Sequence, residues 1–185
     1  MMDNVRLKLL GISEIVGIED ISLLGLVDEL NSRQLVVTCD KNMRKQIQMY
    51  MMKKPETVKR YPKVLCDVLK SYGYYQLEIL ISSVKDGEYG TEIVDPVTDK
   101  HFPIRCSDGI LLSIAGDIPL YATSRLMLSQ SVPFKLGESR IGLPLTVLSE
   151  TMLQMSLKKA IETENYEMAS NLRDELNKRH SKDEE

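Results

Sequence analysis

The sequence predicts an α+β fold: a mixed β-sheet domain with packed helices, followed by a C-terminal helical hairpin. Three observations lead there. Element signals run in the order strands, paired helices, more strands and a helix, without strict βαβ alternation. Asp86-Gly87 between two β-prone runs is a hairpin signal. Beyond residue 150, two short apolar stripes of helical period are separated by a break. The 185 residues are 43% hydrophobic and 28% charged, a globular balance that places the chain outside disordered sequences.

Each element has its own signal. Residues 5–16 alternate weakly, as a strand does. Residues 21–30 are an apolar second strand with Gly25 inside, a place for a bulge. Asn31-Ser32-Arg33 turns the chain into residues 34–39, a β-branched run that completes a hairpin. Asp40 caps a helix on which Met43, Ile47, Tyr50 and Met51 share one face, with Lys41, Arg44 and Lys45 mostly off it. Pro55 ends that region. Pro62 sits near the start of a second helix with Val64, Leu65, Val68 and Leu69 as the expected buried stripe, stopped by Gly73. Residues 74–84 and 88–94 are strands around the Asp86-Gly87 turn. Asp95-Pro96 opens another turn, and residues 101–105 form the next strand. Ser107 is read as the cap of a helix carrying Ile110, Leu111, Ile114 and Ala115 to Gly116. Residues 117–121 are a short strand and 123–130 a last short helix.

The domain so built covers residues 1–132, with a linker at 133–149 rich in proline and glycine. A hairpin follows at 150–181, with Leu153, Leu157, Ala160 and Ile161 on one helix. Asn165 caps the second helix, which carries Tyr166, Ala169, Leu172 and Leu176. Helices this short need each other and a further partner to bury their stripes. Residues 150–180 are therefore expected to dock a protein.

Several functional classes fall away. The three cysteines, Cys39, Cys66 and Cys106, form no CxxC pair, which excludes a disulfide framework and suits a reducing cytoplasm. Two histidines without HExxH exclude a histidine-rich zinc site. The GxGxxG, GxxxxGK[ST] and GxSxG patterns are missing. No apolar run reaches the roughly 20 residues of a membrane span, and the first residues lack a secretory pattern. The expectation is a cytoplasmic protein with no membrane partner. Net charge is −3, yet residues 41–70 hold nine basic and two acidic groups. Lys41, Arg44, Lys45, Lys53, Lys54, Lys59 and Arg60 in that segment are candidate nucleic-acid ligands. A solvated basic face balanced by acidic neighbours is the other reading.

The segment from Phe102 to Tyr121 resembles the signature of the bifunctional nuclease family, an Asp-Ala-Arg-Pro-Ser-Asp-Ala run, then an apolar helix, then a Pro-Ile-Tyr-Val strand. Arg105, Ser107 and Asp108 match the run, and Ile118-Pro119-Leu120-Tyr121 resembles the strand. Pro103 stands where the family has the first aspartate. A second family signature, Arg-Pro-Leu-Thr-His-Asp-Leu, corresponds to residues 60–68 with one inserted residue. There Asp67 is kept and Cys66 replaces the histidine. The resemblance spans about residues 4–132 and implies an α+β domain, usually oligomeric, with DNase and RNase activity. Residues 157–176 are similar to the UVR motif, a helical hairpin of bacterial excision-repair and chaperone-associated proteins. Ala160-Ile161, Glu164, Tyr166-Glu167, Ala169 and Leu172-Arg173-Asp174 fall at its positions. That likeness implies protein docking.

Together these readings give a nuclease of a bacterial cytoplasm, forming a homo-oligomer, with Asp108, Arg105, Ser107 and Asp67 as catalytic residues. Phosphodiester hydrolysis needs charge neutralisation at phosphorus and an activated water, which a divalent cation, Mg²⁺ or Mn²⁺, supplies. The alternatives are a capped helix start at Ser107 and Asp108 with Arg105 as an ordinary ion-pair partner, and a non-catalytic adaptor that recruits a partner through the hairpin. Cys66 and Cys106 are either a thiol pair, if the two signatures meet, or small buried hydrophobes.

Overall fold

The computed structural model describes residues 4–15, 18–134, 145 and 148–180. The predicted strand end at Val16, most of the 133–149 linker and the last hairpin residue, Ser181, lie outside them. Among the described residues eight strands form one sheet. They are β1 (Asn4–Ile15), β2 (Ile18–Asp28), β3 (Arg33–Asp40), β4 (Glu78–Lys85), β5 (Glu88–Asp95), β6 (Lys100–Ile104), β7 (Leu120–Thr123) and β8 (Val132–Pro133), in the order β6-β5-β4-β7-β1-β2-β3-β8. The β4–β7 pair is parallel and the other pairs are antiparallel. The helices are α1 (Lys41–Met51), α2 (Tyr61–Ser71), α3 (Cys106–Gly116), α4 (Ser124–Gln130), α5 (Glu150–Glu162) and α6 (Tyr166–His180), with a 3₁₀ turn at Pro55–Lys59. This is an α+β fold with a mixed sheet.

The sheet is strongly curled. β5 and β3 are five strand steps apart, about 24 Å if the sheet were flat. The Tyr89 hydroxyl on β5 nonetheless donates to the Val36 carbonyl on β3 at 3.0 Å. The space enclosed holds α3, which is buried nearly all round: Cys106, Ser107, Gly109, Ile110, Leu111, Leu112, Ala115 and Gly116 are all buried. A helix that is apolar on every side is stable only inside a core. α1 covers one side of it with Met43, Ile47 and Tyr50. α2 lies against its C-terminal half, where the Cys66 thiol faces the Leu112 carbonyl at 3.9 Å and Lys70 Nζ donates to the Gly116 carbonyl at 2.7 Å.

Local chemistry accounts for most boundaries. Side-chain oxygens of Asp40, Thr123, Ser149 and Asn165 accept N–H groups of Met43, Leu126, Met152 and Met168, so each caps the helix that follows. Asp86 and Gly87 have φ of 51° and 80°, as the tight β4–β5 turn requires. His101 lies in β6 with its ring bonded to Glu92 at 2.8 Å.

Five expectations need correction. The bulge lies in β1, where Leu10 is the extra residue between the Leu9–Leu26 and Gly11–Gly25 pairs; Gly25 stays in register. β4 starts at Glu78, leaving exposed Tyr74 and Tyr75 outside it. The short strand starts at Leu120, after Asp117 has ended α3 at φ 54°. In α2 the expected stripe faces outward. Val64, Leu65 and Val68 are exposed, while Pro62 and Cys66 are buried and Leu69 packs at the core's edge. Close approach is the reason: a β-carbon on Gly116 would sit 2.5 Å from Cys66 Sγ, so only a small side chain fits between α2 and α3. Finally, Met51, Ile161 and Tyr166, expected inside, are exposed.

The C-terminal helices have their own core of Leu148, Met152, Leu153, Ala160, Ala169, Leu172 and Leu176, joined by Ile21 of β2. The Arg179 guanidinium donates to the Leu148 and Leu145 carbonyls at 2.6 and 3.0 Å, tying α6 to the chain that enters α5. Gly87 meets that chain closely: a β-carbon there would lie 2.7 Å from the Leu148 backbone. No helix of the described residues is long and apolar enough to cross a membrane.

Two tests follow from this packing. Gly116→Ala should lower stability in denaturant melts, because overpacking of about 1–3 kcal/mol exceeds the roughly 1 kcal/mol of helix propensity gained. Adding Cys66→Ala removes the clashing sulfur and should restore part of the loss, a coupling visible in a double-mutant cycle. The Glu92 hydrogen bond and charge, with Asp99 beyond, raise the His101 pKa. That contact therefore supports the fold at acid pH and is lost as pH rises through the raised value. An NMR titration should place the His101 midpoint above the ordinary histidine value, and Glu92→Gln should bring it down.

Candidate active site

The corner singled out by Arg105, Ser107 and Asp108 is where β6 ends and α3 begins. Arg105 is the residue preceding the helix, in extended conformation, and its side chain makes no capping bond. The helix starts at Cys106, so Ser107 is already inside the first turn and is not the cap predicted for it; it is buried instead. Arg105 Nε donates to Asp108 Oδ2 at 2.7 Å, and Arg105 Nη2 lies 4.0 Å from Asp40 Oδ2. The Asp108 hydrogen bond and charge, then Asp40, keep the guanidinium firmly protonated.

Asp40 is the residue that sequence reasoning took only for a cap. Its Oδ1 does cap α1 through the Met43 N–H at 2.8 Å, while Oδ2 turns toward Arg105. The polarity of the β3–α1 junction gave the first role. The second depends on the sheet's curl, which carries β3 over to the start of α3. Two helices thus begin at one corner, and the positive ends of their backbone dipoles lie near it.

Beside the corner is a cavity of about 340 Å³. Arg105 and Ser107 line it with Asp40, Glu88 and Tyr89, and Met152 of α5 forms part of its wall. The C-terminal hairpin therefore contributes to the same recess as the signature residues. Its charged lining residues are Arg105, Asp40 and Glu88, with Asp108 paired to Arg105 at its edge and the Arg44 charge felt at Cys39.

Asp67 stands elsewhere. It is on the exposed side of α2, its carboxylate taken by Lys63 Nζ at 2.6 Å. The second carboxylate facing Arg105 is thus Asp40. Among the described residues there is no group of three or more histidine, cysteine, aspartate or glutamate side chains able to hold a metal ion. Of the predicted nucleic-acid ligands, Lys41 and Lys45 are exposed on α1 and Arg44 is half-buried. Lys53, Lys54, Lys59 and Arg60 are exposed around the 3₁₀ turn between α1 and α2.

The cysteines are buried and separate in role. Cys66 packs on the far half of α3, away from Cys106 at its start, so the two signatures do not bring these thiols together. Cys39 and Cys106 line the cavity. Burial pushes both thiols up to about 12, with the Asp40 charge adding to Cys39, and raises Cys66 as well. Asp95, buried at the end of β5, serves its own turn, accepting from the Thr98 hydroxyl and the Val97 N–H.

No family model matches this chain, and no curated protein matches it.

Raised thiol pKa values mean protonated, unreactive cysteines at neutral pH. A thiol reagent at pH 8 should label none of the three within minutes in the folded protein and all three in denaturant. Rapid labelling of Cys39 or Cys106 in the native state would show that the cavity opens.

Proposed function

We propose that the corner where α1 and α3 begin binds a phosphodiester of DNA or RNA and hydrolyses it. The observation that carries this reading is a guanidinium held between two carboxylates beside a recess at two helix starts. Arg105 is the phosphate ligand, aided by N–H groups of the first turn of α3. The Ser107 hydroxyl is a further donor to a phosphoryl oxygen.

Asp40, Asp108 and Glu88 stand around Arg105 at the recess, and carboxylates oppose the approach of a phosphodiester. The reading therefore includes a divalent cation, Mg²⁺ or Mn²⁺. Asp40 and Asp108 suit it as oxygen donors, since Mg²⁺ is commonly bound through one or two carboxylates and keeps several waters. Such a cation, when bound, neutralises phosphate charge and lowers the pKa of a bound water. Asp67 has no part in this scheme, because it stands on the exposed side of α2 and is not among the residues that line the recess.

A second reading, a docking protein without catalysis, is favoured by the exposed apolar residues of α2 and of the α5–α6 turn. Both readings suit a cytoplasmic protein.

The deciding experiment is degradation of plasmid DNA and of RNA with and without Mg²⁺ or Mn²⁺. Metal-dependent cleavage is expected, lowered about 10²–10³-fold by Arg105→Ala and strongly by Asp108→Ala. Asp40→Asn keeps the α1 cap, so its loss of activity would report the carboxylate alone. Cleavage unchanged in Asp108→Ala and Arg105→Ala, or no cleavage with either metal, would favour the docking reading.

A further inference from the structure

Two surfaces remain without a role in hydrolysis. The first is the ridge formed by residues 52–65, from the end of α1 through the 3₁₀ turn into α2. Tyr50 pins it from beneath, its hydroxyl donating to the Thr57 carbonyl at 3.2 Å. Along it Met52, Val58, Tyr61, Val64 and Leu65 are all exposed, Met52 and Tyr61 by 68% and 63%. Lys53, Lys54, Lys59 and Arg60 are exposed among them, against Glu56.

The second surface is the turn between α5 and α6. Every residue from 161 to 168 is exposed. Ile161, Tyr166 and Met168 present apolar area, 55%, 69% and 45% exposed. Glu162, Glu164 and Glu167 surround them, and this stretch contains no basic residue.

The two are complementary in kind: an apolar tip fringed by carboxylates and an apolar ridge fringed by cations. Contiguous exposed apolar area with a charged rim marks an interaction site. A purely cationic strip would suit a nucleic-acid backbone, but five apolar side chains would gain nothing from phosphates. Both halves are exposed within one chain, so the chain's own tip does not sit on its own ridge.

We infer that the α5–α6 turn of one copy docks on the 52–65 ridge of a second copy, head to tail. Such a contact is heterologous and builds a ring or an open chain of copies. The tip is small, so the interface falls at the low end of specific contacts and association is concentration-dependent. Its charged rim makes it weaken with salt.

Sedimentation velocity of the full chain, over a rising concentration series, tests this. Assembly should grow with concentration and decline in high salt. The ridge variant Y61S/V64S and the tip variant I161S/Y166S change exposed residues, and each alone should remain monomeric. Mixed, they should form a 1:1 dimer and nothing larger, because one working tip meets one working ridge. Should either variant lose its melting transition, K59S/R60S and E164S/E167S repeat the test through the charges. A wild-type chain that stays monomeric throughout, a variant that still assembles alone, or a mixture without the 1:1 dimer would each overturn the inference.

Discussion

The structure depends on burying α3. Its residues 106–116 expose little polar side-chain surface to bind water, and Ile110, Leu111 and Leu112 each contribute about 1.5–3 kcal/mol only when enclosed. Enclosure by one sheet requires that sheet to bend around the helix. The Tyr89–Val36 hydrogen bond marks how far it does so. Glycines set the contact distances. A β-carbon at Gly109 would lie 3.1 Å from Ile79 on β4, and one at Gly116 would run into Cys66 on α2. The parallel β4–β7 pair, in the middle of the sheet, follows from the same need, since α3 and the extended chain around it connect β6 back to β7 across the sheet.

That geometry also gathers the candidate site. A helix whose body is buried can meet solvent only at its ends, and the N-terminal end emerges where Arg105 leaves β6. The curl carries β3 to the same place, so Asp40 and the start of α1 arrive there from a segment some 65 residues earlier. At this corner the Arg105 guanidinium stands between the Asp40 and Asp108 carboxylates. The hairpin joins the arrangement through Met152, and Gly87 allows the Leu148 backbone to pass closely over the β4–β5 turn. Residues 148–180 are thus packed against the domain at one end and exposed at the other. A segment seated in this way can contribute a cavity wall and still offer its tip to a second molecule.

Much of this was legible in the sequence. The helix caps Asp40 and Asn165, the Asp86-Gly87 turn and the buried members of the hairpin stripes, Leu153, Ala160, Ala169, Leu172 and Leu176, depend on bonds between near neighbours or on spacing along one element. Such signals are local, so the residues carry them without help. The Arg105–Asp108 pair was legible for the same reason, being three residues apart across a helix start.

The tertiary structure decided which apolar face turns inward and which distant residues meet. On α2, spacing alone ranked Val64, Leu65 and Val68 as the core face, but the narrow gap at Gly116 admits Cys66 and leaves the larger residues outside. On α3, Ser107 had the chemistry of a cap, but the helix begins two residues earlier than a cap there would start it, and Ser107 becomes part of the cavity wall. Asp67 pairs with Lys63 one turn away on the same helix, a local i,i+4 contact, whereas Asp40 reaching Arg105 follows from the curl of the sheet. That second meeting is encoded in no local pattern, because side-chain periodicity specifies a face but not the depth or direction from which a neighbour approaches it.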